Sequence, residues 1–412
     1  MSKRVAIIIG GGDVPGLNVC LKSVVYRTID AGFEPIGVRK GWEGLIRYNY
    51  HDPTTYGDNF IELTKHVVRP IDRTPGSFLH ASRVNPAQTP RRLIPEFLRQ
   101  PGKETQDLTH HLIDVVERLG FHALITIGDD DMLRCAAYLS QKGVPIIGIP
   151  KTVHNNIYGT DYTIGFSTGL ARGVAFIHEL RALAGSREQV VVVETFGANS
   201  GLSSLMTAFL AGADRAIIPE VPYDPEKLAY LVTRDKGVTP GNYAVVTVSD
   251  GSRIVPEKLL KYTPHLSPRS KSEVLKLMTE DKAKEVGATE EFVLDEVVET
   301  GSSLAGSGMV AAELLQHLMG EEVFMQPLTY LLRTGPPDGQ DLLGATNFAI
   351  LAARLLTDGK FGRMTAYQQR YNLTDVDLQM VTHGANRVDV EEMYDIDNYR
   401  PKVNLIWAAQ ES

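Results

Sequence analysis

The sequence predicts an α/β protein with two lobes of mostly parallel sheet, and three observations predict it. Short continuous apolar runs, such as Val5 to Ile9 and Ala123 to Ile127, alternate with segments whose apolar residues recur at helical spacing, as at Leu112, Ile113, Val116 and Leu119. Runs without polar alternation belong to strands covered on both faces, the condition of a parallel sheet between helix layers. Glycine-rich or acidic loops fall at the ends of these runs, where open α/β sheets bind their ligands. Finally, 412 residues with 43% apolar content exceed one ordinary core, so two lobes are expected.

The elements follow in order. Val5 to Ile9 is a strand, Gly10 to Gly16 a glycine loop, and Val19, Val24, Val25 and Ile29 mark the helix after it. Glu34 to Arg39 reads as a second strand and Gly41-Trp42-Glu43-Gly44 as a turn. Residues 50–100 are broken by Pro70, Pro75, Pro86 and Pro90 into short elements and loops. Next come the strand Ala123 to Ile127, the acidic loop Asp129 to Asp131, a helix from Met132 to Ser140 and the strand Val144 to Ile149. That strand opens into Pro150-Lys151-Thr152-Val153-His154-Asn155-Asn156. A second series has helices at Phe166 to Ala184, Leu202 to Ala213 and Pro225 to Arg234, with strands at Gln189 to Glu194, Arg215 to Pro219 and Tyr243 to Val248. Residues 251–303 are rich in Lys and Glu and read as a charged, partly helical surface arm. Met309 to Met319 reads as a helix, Met325 to Leu332 as a strand and Leu342 to Thr357 as a helix. The domain reading is a first lobe over 1–150, rejoined by part of 325–412, and a second lobe over 151–324 carrying the arm; 325–412 holds the returning segment and the tail.

The formal net charge of −8 argues against a polyanion-binding surface, so nucleic acid is not an expected partner. Cys20 and Cys135 are too few for a disulfide framework and read as thiols of a reducing compartment. The apolar run Val5 to Ile9 is too brief for a signal-peptide core or a membrane span, so a cytoplasmic location is expected.

Four places carry chemistry. Glycines remove the Cβ that blocks close approach, so Gly11 and Gly12 could present backbone N–H groups to an anion at a helix N-terminus; any tight strand-to-helix turn has the same need of glycine. Arg83 could grip a phosphate with two donors. Asp129 to Asp131 suit a helix N-terminus. His154 stands in a polar loop after a buried strand and could exchange a proton near neutrality.

Four stretches together resemble the phosphofructokinase family: Gly10-Gly-Gly-Asp-Val-Pro-Gly-Leu-Asn18, Ile127-Gly-Asp-Asp-Asp131, Pro150-Lys-Thr-Val-His-Asn-Asn-Ile157 with Gly159 to Phe166, and Leu332-Arg-Thr-Gly-Pro-Pro-Asp338. The resemblance implies two similar Rossmann-like lobes, the first for a phosphoryl donor and the second for a sugar phosphate, in a homodimer or homotetramer. It implies a donor site of Gly11, Gly12, Arg83, Gly128 and Asp131, with Asp130 at the Mg²⁺ position. Asp131 and Lys151 match the pyrophosphate-using branch, with ATP as the second choice of donor. Thr152, Asn156, Glu220, Tyr330 and Arg333 fall at acceptor-side positions, and Lys151, Thr152 and His154 at the catalytic ones.

The departures are as informative. Asp129 replaces a family glycine that lies close to phosphate, His154 replaces the aspartate general base, and Asn156 replaces a second aspartate. Ala198, Gln189 and Phe324 stand where the family has arginines on the sugar phosphate, with Arg187 as a possible substitute on the approach to a strand. The expected function is therefore pyrophosphate-dependent phosphoryl transfer to a sugar or sugar phosphate other than fructose 6-phosphate. The alternatives are a non-catalytic metabolite-binding paralogue and an enzyme with a changed reaction on a phosphosugar.

Overall fold

A computed structural model describes residues 3–276, 306–369 and 372–402. Two compact units divide the chain: Met1–Thr168 with Arg333–Ala385, and Gly169–Leu332 with Asn386–Ser412. Where the sequence placed a boundary at 150, the units divide after Thr168, because the loop after that strand is tied back to its own unit. Lys151 bridges Ile164, and the Thr163 hydroxyl donates to the Thr152 carbonyl at 2.7 Å.

The first unit holds a 7-stranded sheet in the order Asn372–Asp377, Arg363–Gln368, Ile146–Pro150, Phe121–Gly128, Arg4–Ile9, Glu34–Val38, Phe60–Glu62. The inner strands pair in parallel and only the two edge strands run antiparallel. Val5 to Ile9 are all fully buried, which explains their unbroken apolar run. The helix Leu17–Asp30 leads from Arg4–Ile9 to Glu34–Val38 on one side; the helix Asp130–Gln141 leads from Phe121–Gly128 to Ile146–Pro150 on the other. The winding thus reverses between Arg4–Ile9 and Phe121–Gly128, the switch point where a crevice opens beyond the carboxyl ends.

The second unit holds a 4-stranded, fully parallel sheet in the order Val323–Pro327, Val190–Thr195, Ala244–Ser249, Arg215–Ile217. Its core includes Val192, Leu205, Ile217, Val246 and Leu314. Two expectations change here. The segment read as a strand over Met325 to Leu332 is a strand, Val323–Pro327, followed by a helix, Thr329–Arg333, since proline has no N–H for the ladder and closes the strand. The charged arm is not simply a solvated face: it forms the helices Pro256–Tyr262 and Pro268–Lys276, and Tyr262, Leu266 and Val274 enter the core. Residues 277–303 of that arm lie outside the described residues. Among the described residues no helix is long and apolar enough to cross a membrane.

Candidate functional site

Strand register assembles the first unit's site. Ile9 pairs with Ile127, and Ile127 with Ile149, so the three strands end side by side. The Gly10 N–H donates to the Ile127 carbonyl at 3.2 Å and the Lys151 N–H to the Gly128 carbonyl at 2.9 Å. Glycine loop, acidic loop and histidine loop are thereby neighbours. The Asn18 amide donates to the carbonyls of Thr74 and Gly76, both at 2.8 Å, and accepts the Phe78 N–H at 3.0 Å. Asp13 accepts the Ser77 N–H at 3.1 Å and the Gly11 N–H reaches the Ser82 carbonyl at 3.1 Å. This lacing brings Arg83 to the loop.

Three cations converge on Gly12. A side-chain carbon there would overlap the guanidinium of Arg333 and press on that of Arg83. The Lys151 ammonium, fully buried, donates to the Gly12 carbonyl at 2.6 Å. Arg333 donates through Nη1 to the Asp13 carbonyl at 3.4 Å and through Nη2 to His154 Nε2 at 3.2 Å. A guanidinium can only donate, so Nε2 is the acceptor and the imidazole is neutral in this arrangement.

The charges show in the titration behaviour. Burial pulls Lys151 down to about 8; Arg333 and Arg83 act in the same direction while Asp129 and Asp13 oppose it. Burial, then Arg333 and Arg83, press His154 down to about 3. Asp130 is pushed up to about 6 by burial and by the like charges of Asp131 and Asp129. Asp131 is raised by burial and Asp129, against Arg83 and Arg134.

A measurable consequence follows for His154. Its folded value lies below the ordinary 6.5, so between about pH 6.5 and 3 the unfolded chain binds the proton more readily. Acidification through that window costs stability, up to about 3 kcal/mol by pH 4. We expect the His154 ring to stay neutral at pH 4 in an NMR titration, and His154→Gln to flatten the acid limb of the stability curve. An imidazole that titrates near 6.5 would contradict this.

Asp129 is the N-cap of the helix Asp130–Gln141: its Oδ1 accepts the Met132 N–H at 3.3 Å, while Oδ2 accepts the Gly12 N–H at 3.2 Å. Beside it a cavity of about 390 Å³ is lined by Gly11, Arg83, Asp131, Trp42, Arg134 and Tyr138, among others. Trp42, Arg134 and Tyr138 were not among the sequence candidates. Trp42 had one signal, its place in the Gly-Trp-Glu-Gly stretch after a parallel strand, which the sequence reads as a turn and which opens the helix Trp42–Arg47 instead.

Other candidates are placed differently. The Thr152 hydroxyl accepts the His154 N–H at 3.1 Å and so braces the loop. The Asn156 side chain is buried with its carbonyl oxygen unsatisfied by the described residues. Glu220, in the second unit, accepts the backbone N–H groups of Gly201 at 2.9 Å and Val388 at 3.0 Å. Tyr330 is exposed and lies edge-on to Phe196 at 6.0 Å. Gln189 bonds Glu322 at 2.8 Å. Arg187 is the last residue of the helix Phe166–Arg187, which runs further than the apolar spacing showed, so the alternation of a strand approach does not apply to it.

Comparison with known proteins shows the family. The chain is 30% identical over 380 residues to an ATP-dependent 6-phosphofructokinase 3 of Streptomyces coelicolor, covering 92% of this chain and 93% of that one. It is also 30% identical over 390 residues to a pyrophosphate–fructose 6-phosphate 1-phosphotransferase of Dictyoglomus thermophilum, covering 94% and 96%. The crystal structure of a pyrophosphate-dependent phosphofructokinase from Nitrosospira multiformis shares the fold, with a TM-score of 0.71 at 16% identity over 98% of this chain and 89% of that one. The phosphofructokinase family model matches residues 4–356. With its glycine loop, acidic loop and histidine loop aligned on one mostly parallel sheet, the chain belongs to the phosphofructokinase family.

Proposed function

We propose that the protein is a phosphotransferase that moves a phosphoryl group from pyrophosphate to a hydroxyl of a sugar phosphate other than fructose 6-phosphate. The observation that carries the reading is the convergence of Arg83, Arg333 and Lys151 on Gly12. Catalysis of phosphoryl transfer is mostly positioning and charge stabilisation, and such a cluster supplies both. Asp131 supports pyrophosphate over a nucleotide, because its carboxylate lines the cavity beside the loop. Ala198, Gln189 and Phe324 in place of arginines argue against the usual acceptor.

In the reaction the acceptor oxygen attacks phosphorus, the bond to the departing phosphate breaks, and the hydroxyl proton passes to His154 Nε2. That nitrogen is engaged by Arg333 before the donor arrives. Arg333, expected from the sequence on the acceptor side, lies against Gly12 and Asp13 of the glycine loop; a donor phosphate that draws it to itself would free Nε2 and offset the charge that depresses the imidazole. Asp130 is the residue that would hold the family's Mg²⁺: Asp131 and Asp129 crowd negative charge beside it, which a cation would relieve, and donor phosphates would supply the further ligands, since no cluster of three metal-ligating side chains occurs among the described residues. Held there with donor phosphates, the ion would neutralise charge on the transferred group.

A second reading, a non-catalytic binder of a phosphorylated metabolite, is favoured by one observation: Arg333 already occupies the base's lone pair. Phosphorus NMR with pyrophosphate, Mg²⁺ and a panel of sugar phosphates separates the two. We expect a growing phosphomonoester signal that is absent in Lys151→Met. Wild-type protein no better than that variant, with ATP as well as with pyrophosphate, would sink the transferase reading; tight metabolite binding without turnover would establish the other.

A further inference from the structure

We infer that the Asp129 carboxylate is a built-in occupant of the Gly11–Gly12 cradle, so that an external phosphate binds there only by displacing it. The inference rests on reading this loop as the donor cradle. A glycine loop binds anions by turning backbone N–H groups on them from close range. Here the Gly11 N–H is given to the Ser82 carbonyl, and the Gly12 N–H to Asp129 Oδ2 at 3.2 Å. A methyl group at Gly11 would overlap that carboxylate, so the bare face of the loop is the face Asp129 covers.

The helix cap alone does not account for this placement. Capping uses Oδ1, which takes the Met132 N–H, whereas Oδ2 is turned the other way onto Gly12. The carboxylate also shares the field of Lys151, on which its charge acts directly. A phosphate on this face would compete with Asp129 for the same N–H and for the same cation. With glycine or a neutral side chain at 129 that competition is gone. Asp129 therefore lowers affinity for phosphate donors at this loop and selects for those with enough contacts elsewhere to displace it.

Calorimetric titration of the full chain with inorganic pyrophosphate tests this, comparing wild type with Asp129→Asn and Asp129→Ser. Both substitutes can still cap the helix. Loss of one competing charged hydrogen bond predicts affinity higher by about tenfold or more in both. Wild-type binding that the variants leave unchanged or weaken overturns the inference and leaves the donor reading standing; no binding by any of the three overturns both. On wild-type protein alone, pyrophosphate should shift the amide resonances of Gly12 and Met132 together. A titration that saturates without moving Gly12 overturns the inference even if the variants fail to fold.

Discussion

Arg333→Ala lowers kcat/KM for phosphoryl transfer by about a hundredfold to a thousandfold, and it raises the pKa of His154. On the proposed reading of Arg333 as a cation beside the donor, the first effect is the loss of a preorganised charge on the transferred group, a contribution of roughly 3–4 kcal/mol in water-excluded sites. The second follows from geometry. The Arg333 Nη2 lies 3.2 Å from His154 Nε2, and its charge is the largest after burial among the influences holding the imidazole at about 3. Taking that charge away favours the imidazolium, though burial and Arg83 still oppose it. The variant is thus expected to lose donor contact while its base takes up a proton at higher pH, so the fall in rate should be largest at mildly acidic pH, where the imidazole is protonated, and smallest near neutrality and above. Steady-state kinetics and an NMR titration of His154 read the two effects separately. A His154 pKa that stays where it was would break the link between the two side chains, whatever the rate does.

That link joins residues 179 positions apart, which explains why sequence analysis found both without pairing them. The parallel strands were legible because a strand buried on both faces has nowhere to put polar residues, as Val5 to Ile9 show. The nearness of the three loops was legible too, since it follows from ending neighbouring strands at one edge. The direction of each side chain within that edge was not. Asp129 reads equally as a cap or as a departure next to phosphate; it is a cap on one oxygen and lies over the glycine loop with the other, a result of register between Ile9 and Ile127. Short apolar stretches failed for another reason. Met325 to Leu332 contains both the end of a strand and the start of a helix, and periodicity cannot divide eight residues in two.

Asp341→Ala removes about 4 kcal/mol or more of stability, and with it the order of the site. The carboxylate is fully buried at the start of the helix Gly339–Thr357. Its Oδ1 accepts the Tyr162 hydroxyl and the Gly165 N–H, the latter at 2.6 Å; its Oδ2 accepts the Thr168 N–H at 2.9 Å and the Thr168 hydroxyl. Burial raises its pKa despite these donors, so an ionised carboxylate is costly here and is held by all four bonds acting together. Alanine would leave the donors of Tyr162, Gly165 and Thr168 buried without their acceptor, at roughly 1–3 kcal/mol for each unsatisfied group and with incomplete additivity. Asparagine keeps the shape but turns an amide N–H₂ on one pair of donors, so it should recover only part of the loss. The segment anchored by Asp341 is the one whose Thr163 hydroxyl bonds the Thr152 carbonyl, two residues before His154. Loosening it should therefore reduce pyrophosphate binding in the same variants, in the same order. Urea unfolding checks the first claim and calorimetry the second: a midpoint shift worth less than about 1 kcal/mol in Asp341→Ala would mean that the four bonds are replaceable by water.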